Sequence, residues 1–381
     1  MSEHGENVPA YQKVRVGPQD SPAAAIADVD AWQARDQYPH LLGGGGPVFG
    51  VAQELDTGGW EILSFGEVYP QTARDSMSMV FRQRASEAEK DGNADARAEL
   101  MEAAERLDWE VLDDLTVCGI RYRIVRAEPF IRMGPTGPEP PRPSDPDPAE
   151  VGEAYRLPLP TKGFVIDTFA ESGMSEAILR VELLTLVRKP GTVPDDVWED
   201  SQVAVRTHPG GVLLPAEFMT AEYVNGDWRP TAATSGTPQG ARDVLGTYLR
   251  VMAPVVERLD KEQRAVYAAA ADKLDAERSD EIEVAGCLSR VVRVERLVRI
   301  GPDGPEGPRP SDHDPEPPPS VHVEQLRAQG VILDENEPLV LSEETKELSR
   351  LYYEEEERRK ALREARGAAR SAADDRDENR P

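Results

Sequence analysis

Arg126 and Arg293 are the residues of this chain whose type and setting point most directly to chemistry. A guanidinium offers a planar fork of N–H donors that matches a carboxylate or a phosphate. The two arginines stand 167 residues apart in matching surroundings, RIVRAEPFIRM (123–133) and RVVRVERLVRI (290–300). Each is followed by a glutamate two places on, Glu128 or Glu295, and by another arginine, Arg132 or Arg299. Each run then enters a rigid proline segment, GPTGPEPPRPSDPDP (134–148) or GPDGPEGPRPSDHDP (301–315). These segments carry Arg142 with Ser144 and Asp145, and Arg309 with Ser311 and Asp312.

Two readings fit this pattern. In the first, Arg126, Arg293, Arg142 and Arg309, with Ser144 and Ser311, hold an anionic ligand. In the second they are structural. Side chains alternate across a strand, so Arg126 shares a face with Glu128, and Arg293 with Glu295. Arg142 would then pair with Asp145, and its counterpart with Asp312, to pin the proline loops. The spacing suits the structural reading well. Arg74-Asp75 and Arg242-Asp243, at the starts of two expected helices, admit the same alternatives.

Other constellations are weak. None of His4, His40, His208, His313 and His322 sits in HExxH or beside a cysteine pair, so no metal is expected. Ser311-Asp312-His313-Asp314 has hard ligands but lacks the glycine and terminal glutamate of a calcium loop. No GxSxG elbow and no GxGxxG after a strand occur, and no cofactor is expected. Gly43–Gly46 lack the Lys-Ser/Thr of a phosphate loop and read as a flexible connector. His40 and His208, each just before a glycine-rich run, could serve as bases, or simply as hydrogen-bonded loop histidines.

The elements that must carry these residues recur along the chain. The proline segments align without a gap, and upstream RAELMEAAERLD (97–108) matches RAVYAAAADKLD (264–275). PQTARD (70–75) matches PQGARD (238–243), one residue out of step. Such self-similarity fixes architecture before any motif is read. Each copy is expected to hold a hairpin, with turns at Asp56–Gly59 and Asn225-Gly226, then two helices (71–89 and 94–109; 239–259 and 261–277). The arginine strand and a polyproline-like loop lying over its own domain follow. YQKVRV (11–16) and GFVIDTF (163–169) read as strands, SEAILRVELLTLVR (175–188) as a helix or a buried strand, and 22–32 and 194 onward as helix starts. The fold class is therefore α+β: two pseudo-repeated domains, 11–150 and 151–330, each an antiparallel sheet with packed helices and a Pro-rich loop. A flexible N-terminus (1–10) precedes them, and a charged helix with a disordered tail (331–381) follows.

The formal net charge of −27 lies in the body, since residues 342–381 hold 12 acids and 10 bases. Such acidity repels nucleic acid and anionic membrane. Two cysteines at non-equivalent positions make no disulfide framework, no secretory leader is visible, and no stretch approaches about 20 apolar residues. A cytoplasmic location is expected. The helix starting at Ser342 could meet a protein partner through residues 342–370.

The segment VVRVERLVRIGPDGPEGPRPSDHDP, with its earlier twin, resembles an uncharacterised family of actinomycete proteins classed as a domain of unknown function. The resemblance spans about residues 10–330. It implies a bacterial cytosolic setting and no mechanism. Two functions are expected: a non-enzymatic interaction or scaffold protein, or a binder or enzyme holding an anionic ligand with arginines where the repeats meet.

Overall fold

A computed structural model describes residues 8–17, 21–186, 188–331 and 341–378. The expected N-terminal flexible segment falls largely on residues 1–7, and the end of the tail on 379–381, both outside the described residues.

The first stretch contains α1 (Pro22–Gln37), β1 (His40–Gly43), β2 (Val48–Glu54), β3 (Trp60–Glu67), α2 (Pro70–Lys90), α3 (Ala94–Trp109), β4 (Asp114–Val117), β5 (Ile120–Gly134) and β6 (Gly137–Pro138). Ser21 caps α1 by accepting the Ala24 N–H, with Pro22 at the first helical position. The middle holds β7 (Val165–Ile166), α4 (Met174–Thr185), α5 (Asp195–Thr207), β8 (Gly210–Val224) and β9 (Asp227–Ser235). There follow α6 (Pro238–Thr247) and α7 (Ala253–Val256), joined by a π-helical turn at Tyr248–Met252, then α8 (Lys261–Glu277) and β10 (Glu281–Val284). The chain closes with β11 (Cys287–Gly301), β12 (Gly304–Pro305), α9 (Pro319–Ala328) and α10 (Glu343–Glu378). The architecture is mixed α+β with antiparallel strand pairing.

The chain divides into two compact units of interleaved segments. One comprises residues 1–144, 159–217 and 293–334; the other 145–158, 218–292 and 335–381. In the first unit the ladder runs β7-β3-β2-β5-β11, with the start of β8 beside β11, where Gly211 lies against Val298. β5 and β11 pair Glu295 with Phe130, Arg296 with Pro129 and Leu297 with Glu128. One apolar cluster lies under α2 and α3, around Phe81, Leu107, Tyr122 and Ile124. A second gathers Trp60, Ile62, Val125 and Val298, and a third joins Leu179 and Leu183 of α4 to Phe130, Leu213 and Leu297. The last of these makes 174–185 an amphipathic helix rather than a buried strand. In the second unit β8 pairs with β9 and β10 with β11, and Leu245, Leu249, Leu274 and Ile282 pack together.

Several local expectations need correcting. Residues 11–16 form no strand: a 3-10 turn covers Ala10–Gln12 and a lone bridge joins Val16 to Ser172. The supposed connector begins as β1, whose His40–Gly43 pair with Met133–Phe130, because the far end of the long β5 needs a partner for its N–H and C=O groups. The proline loops also reach further than expected. Asp314 of the second segment accepts the Gln71 N–H (2.9 Å) and takes Arg74 (2.6 Å), capping α2. Asp147 of the first segment likewise accepts the Gln239 N–H (2.8 Å) and takes Arg242 (2.7 Å) on α6. Each loop caps a helix distant in sequence, 243 residues away for Asp314 and 92 for Asp147, where unsatisfied N–H groups attract a carboxylate.

The charged C-terminal helix is docked in the second unit. Glu355 is buried beneath Arg358 (2.7 Å) and Arg359 (2.9 Å), and Arg358 also meets Asp275 (3.1 Å). Its backbone continues to Glu378, past the end near Arg370 that its composition suggests. Among the described residues no helix is long and apolar enough to cross a membrane.

Candidate functional site

The first unit buries an arginine–carboxylate lattice on β5 and β11. Arg126 donates from Nη1 to Glu128 Oε1 (3.0 Å) and from Nε to Asp312 Oδ2 (2.9 Å). Arg309 donates from Nη1 to the same Glu128 oxygen (3.0 Å), and from Nε and Nη2 to Glu306 (2.7 and 3.0 Å). The pattern recurs 167 residues away. Arg293 donates to Glu295, while Arg142 donates to Glu295 (3.2 Å) and Glu139 (2.6 Å). The loop tips are held through their backbone: Ser144 N–H donates to Asp30 on α1 (3.0 Å), and Ser311 N–H to Asp200 on α5 (2.8 Å).

Sequence reasoning paired Arg126 with Glu128 and Arg293 with Glu295, and the geometry adds to each glutamate an arginine from the distant proline segment. Arg126 and Arg293 each carry a carboxylate partner. Asp312 accepts the Arg309 backbone N–H (2.7 Å) and the Arg126 side chain, while the Arg309 guanidinium goes to Glu306 and Glu128. Burial alone would raise the Glu128 carboxyl, but Arg126 and Arg309 outweigh it and hold it at about 2. Burial likewise opposes ionisation of Glu295, and Arg293 and Arg142 override it to keep its pKa low. At Glu139 burial prevails over Arg142 and Arg293, and the carboxyl is pushed up.

Beside the lattice lies a cavity of about 490 Å³, within the range of small-molecule sites. Its walls come from α1, the 164–173 segment, α4 and the strands that carry Arg132, Leu213 and Arg293. Five arginines and five carboxylates line it, so its charges balance. One of those arginines is exceptional. Arg180 is 4% exposed, and its Nε and Nη2 are shut from solvent with no hydrogen-bond acceptor. Nε–H and an Nη2–H point side by side from one edge of the guanidinium. Elsewhere in the chain this edge takes two carboxylate oxygens, from Asp114 on Arg121 (2.9 and 2.9 Å) and Glu306 on Arg309 (2.7 and 3.0 Å). Arg132 Nε is also buried without an acceptor, though its Nη2 reaches Glu182 (3.3 Å). One turn before Arg180 on α4, Glu176 lines the same cavity as an exposed residue, and desolvation by the surrounding wall pushes its carboxyl up. Burial pushes the Arg180 pKa down against the pull of Glu176.

Sequence reading missed Arg180 and Glu176. Their only signal was the Glu-x-x-x-Arg spacing on a segment whose helical character was undecided.

The remaining candidates are engaged elsewhere. Arg74 bridges Asp113 (2.8 Å) and Asp314, and Arg242 bridges Asp280 (2.7 Å) and Asp147. Asp312 and Asp314 of the supposed hard-ligand cluster are thus taken by arginines, and His313 lies edge-on to Tyr69. His208 is pushed below its ordinary value by burial, with Nδ1 2.9 Å from the Thr207 hydroxyl.

The fold and its cavities define an α+β protein with a buried ionic lattice and a buried arginine edge without an acceptor. The chain belongs to the family of unknown function DUF5954, whose model matches residues 21–315. No curated protein and no solved structure matches it.

Proposed function

We propose that this is a ligand-binding protein whose 490 Å³ cavity holds a small carboxylate or related oxyanion on Arg180. The observation that carries the reading is the Nε/Nη2 edge of Arg180, buried without an acceptor. An unsatisfied buried donor costs about 1–3 kcal/mol, more when charged, and such a cost is tolerated where a ligand supplies the missing partner. A modest turn of the side chain into the cavity it lines would present the fork. The anionic ligand thereby moves from Arg126 and Arg293, which have carboxylate partners, to the neighbouring α4.

The reading includes an internal duplication, with 11–150 and 151–330 as the copies. Its support is the matched ion pairs, the matched Asp30 and Asp200 contacts, and the reciprocal capping by Asp147 and Asp314. It also includes an actinomycete origin, a cytoplasmic location, and no binding to nucleic acid or membrane, on the strength of the −27 charge. A scaffold role through residues 342–370 is the second reading, favoured by Tyr352 and Tyr353, which are 52% and 70% exposed on a helix otherwise docked.

The test is a thermal-shift panel of succinate, glutarate and citrate on the parent and on Arg180→Met. A ligand that binds the native state raises the melting temperature. A rise in the parent that vanishes in the variant is expected; equal rises in both would refute the site.

A further inference from the structure

A second cavity of about 320 Å³ lies in the same unit, lined by β1 together with Glu128, Arg188, Lys189, Thr192, Arg299 and Arg309. It shares its framework with the first: Arg299, Arg309 and Glu128 stand 167 residues from Arg132, Arg142 and Glu295. Its charge is different. Four cations, Arg188, Lys189, Arg299 and Arg309, face one carboxylate, Glu128. That carboxylate already receives Arg126 and Arg309 at 3.0 Å each, so its charge is spent within the lattice. Arg299 is almost fully buried, and its hydrogen bonds go to neutral carbonyls, Leu184 O (3.0 Å) and His208 O (3.5 Å). Among the described residues no ion pair joins Arg188, Lys189 or Arg299 to a carboxylate. The head of Arg188 lies against β1, with Nη1 3.1 Å from where a Cβ on Gly43 would stand. The hydroxyls of Thr192 and Ser201 are turned to backbone carbonyls, leaving recognition to the cations.

We propose that this cavity binds a phosphate group, free or carried by a small phosphorylated metabolite. Arg188, Lys189 and Arg299, with no ion pair among the described residues, give this concave wall a local positive charge that concentrates a polyanion in a chain of net charge −27. Arg299 at the base and Arg188 and Lys189 at the rim would neutralise two negative charges and direct several N–H donors at the phosphate oxygens. The site is independent of Arg180, so the two ligand sites can fail separately.

Calorimetric titration of the full chain with inorganic phosphate, pyrophosphate and glycerol 3-phosphate provides the test. Arg188→Ala with Lys189→Ala is the variant, at positions outside the buried lattice, and a melting curve checks its fold. Saturable binding by any of the three, at least tenfold weaker in the double variant and unchanged in Arg180→Met, is expected. Preference between free phosphate and the monoester tells the two sources apart. No binding of any of them, or equal binding by the double variant, overturns the proposal.

Discussion

Pro129 and Arg296 face each other across the antiparallel pair of β5 and β11, and they occupy the same position of the repeated segment. The neighbouring pairs, Glu295 with Phe130 and Glu128 with Leu297, exchange under the same 167-residue offset. A local two-fold therefore passes between Pro129 and Arg296. It sets Glu128 and Glu295 at equivalent points on either side, each between an arginine of its own strand and one from the other proline loop. The two positions on the axis differ in kind. Pro129 leaves room, while Arg296 is 1% exposed, pairs with Glu217 (2.6 Å), donates to Pro215 O (2.6 Å) and lies over Phe65.

Removing one charge from this lattice takes a buried carboxylate partner from two arginines at once. Glu128→Gln leaves Arg126 to Asp312 and Arg309 to Glu306, and Glu295→Gln takes the shared carboxylate from Arg293 and Arg142, the latter keeping Glu139. Each is expected to cost about 3–5 kcal/mol in urea unfolding, as is usual when one member of a buried pair is lost. A loss below about 1 kcal/mol would mean the lattice is solvated.

The same lattice predicts acid sensitivity. The folded-state value of Glu128, about 2, lies below its unfolded value. Its contribution is complete above the ordinary carboxylate range and disappears as pH falls from there toward 2. Glu128→Gln should flatten that part of the stability–pH curve, measured by denaturant midpoints at each pH.

Reciprocal capping gives a matched pair of variants. Asp314→Ala removes the cap of α2 and one partner of Arg74; Asp147→Ala removes the acceptor of the Gln239 N–H on α6, where Thr237 still accepts the Gly240 N–H, and one partner of Arg242. Each is expected to cost about 1–3 kcal/mol, with asparagine recovering the cap but not the ion pair. Unequal behaviour, with one variant neutral, would contradict the equivalence.

Much of the fold was legible because its signals are local. Period-two alternation marked β5 and β11, turn glycines marked the hairpins, and the PQxARD starts marked α2 and α6. The lattice was half legible: Arg126 beside Glu128 follows from strand geometry, whereas Arg309 beside Glu128 joins residues 181 apart. Helix α4 and Arg180 were not legible. An apolar run shows the same hydrophobic content as helix or strand, and only packing against Phe130 and Leu297 decides it. The reach of the loops was not legible because composition shows their stiffness but not which helix end they meet.

Protonation should govern the first cavity. Burial raises Glu176, which faces Arg180 on its own helix, Glu295 and Arg293 on β11, and Asp28 on α1. Deprotonation adds a negative charge beside the fork, so carboxylate affinity should fall as pH rises through this titration. Succinate titrations over a pH series running upward from the ordinary carboxylate range should lose that slope in Glu176→Gln, which also corrects for ionisation of the probe. An unchanged slope would exclude Glu176 as its source.

The most direct measurement is calorimetric titration of a panel carboxylate into the parent and into Arg180→Lys. Lysine keeps the charge but lacks the two-donor edge. Loss of the fork should weaken binding at least tenfold, about 1.4 kcal/mol, with the melting temperature of the ligand-free protein unchanged or higher. Equal affinity in the two proteins would show that the buried edge of Arg180 holds no ligand.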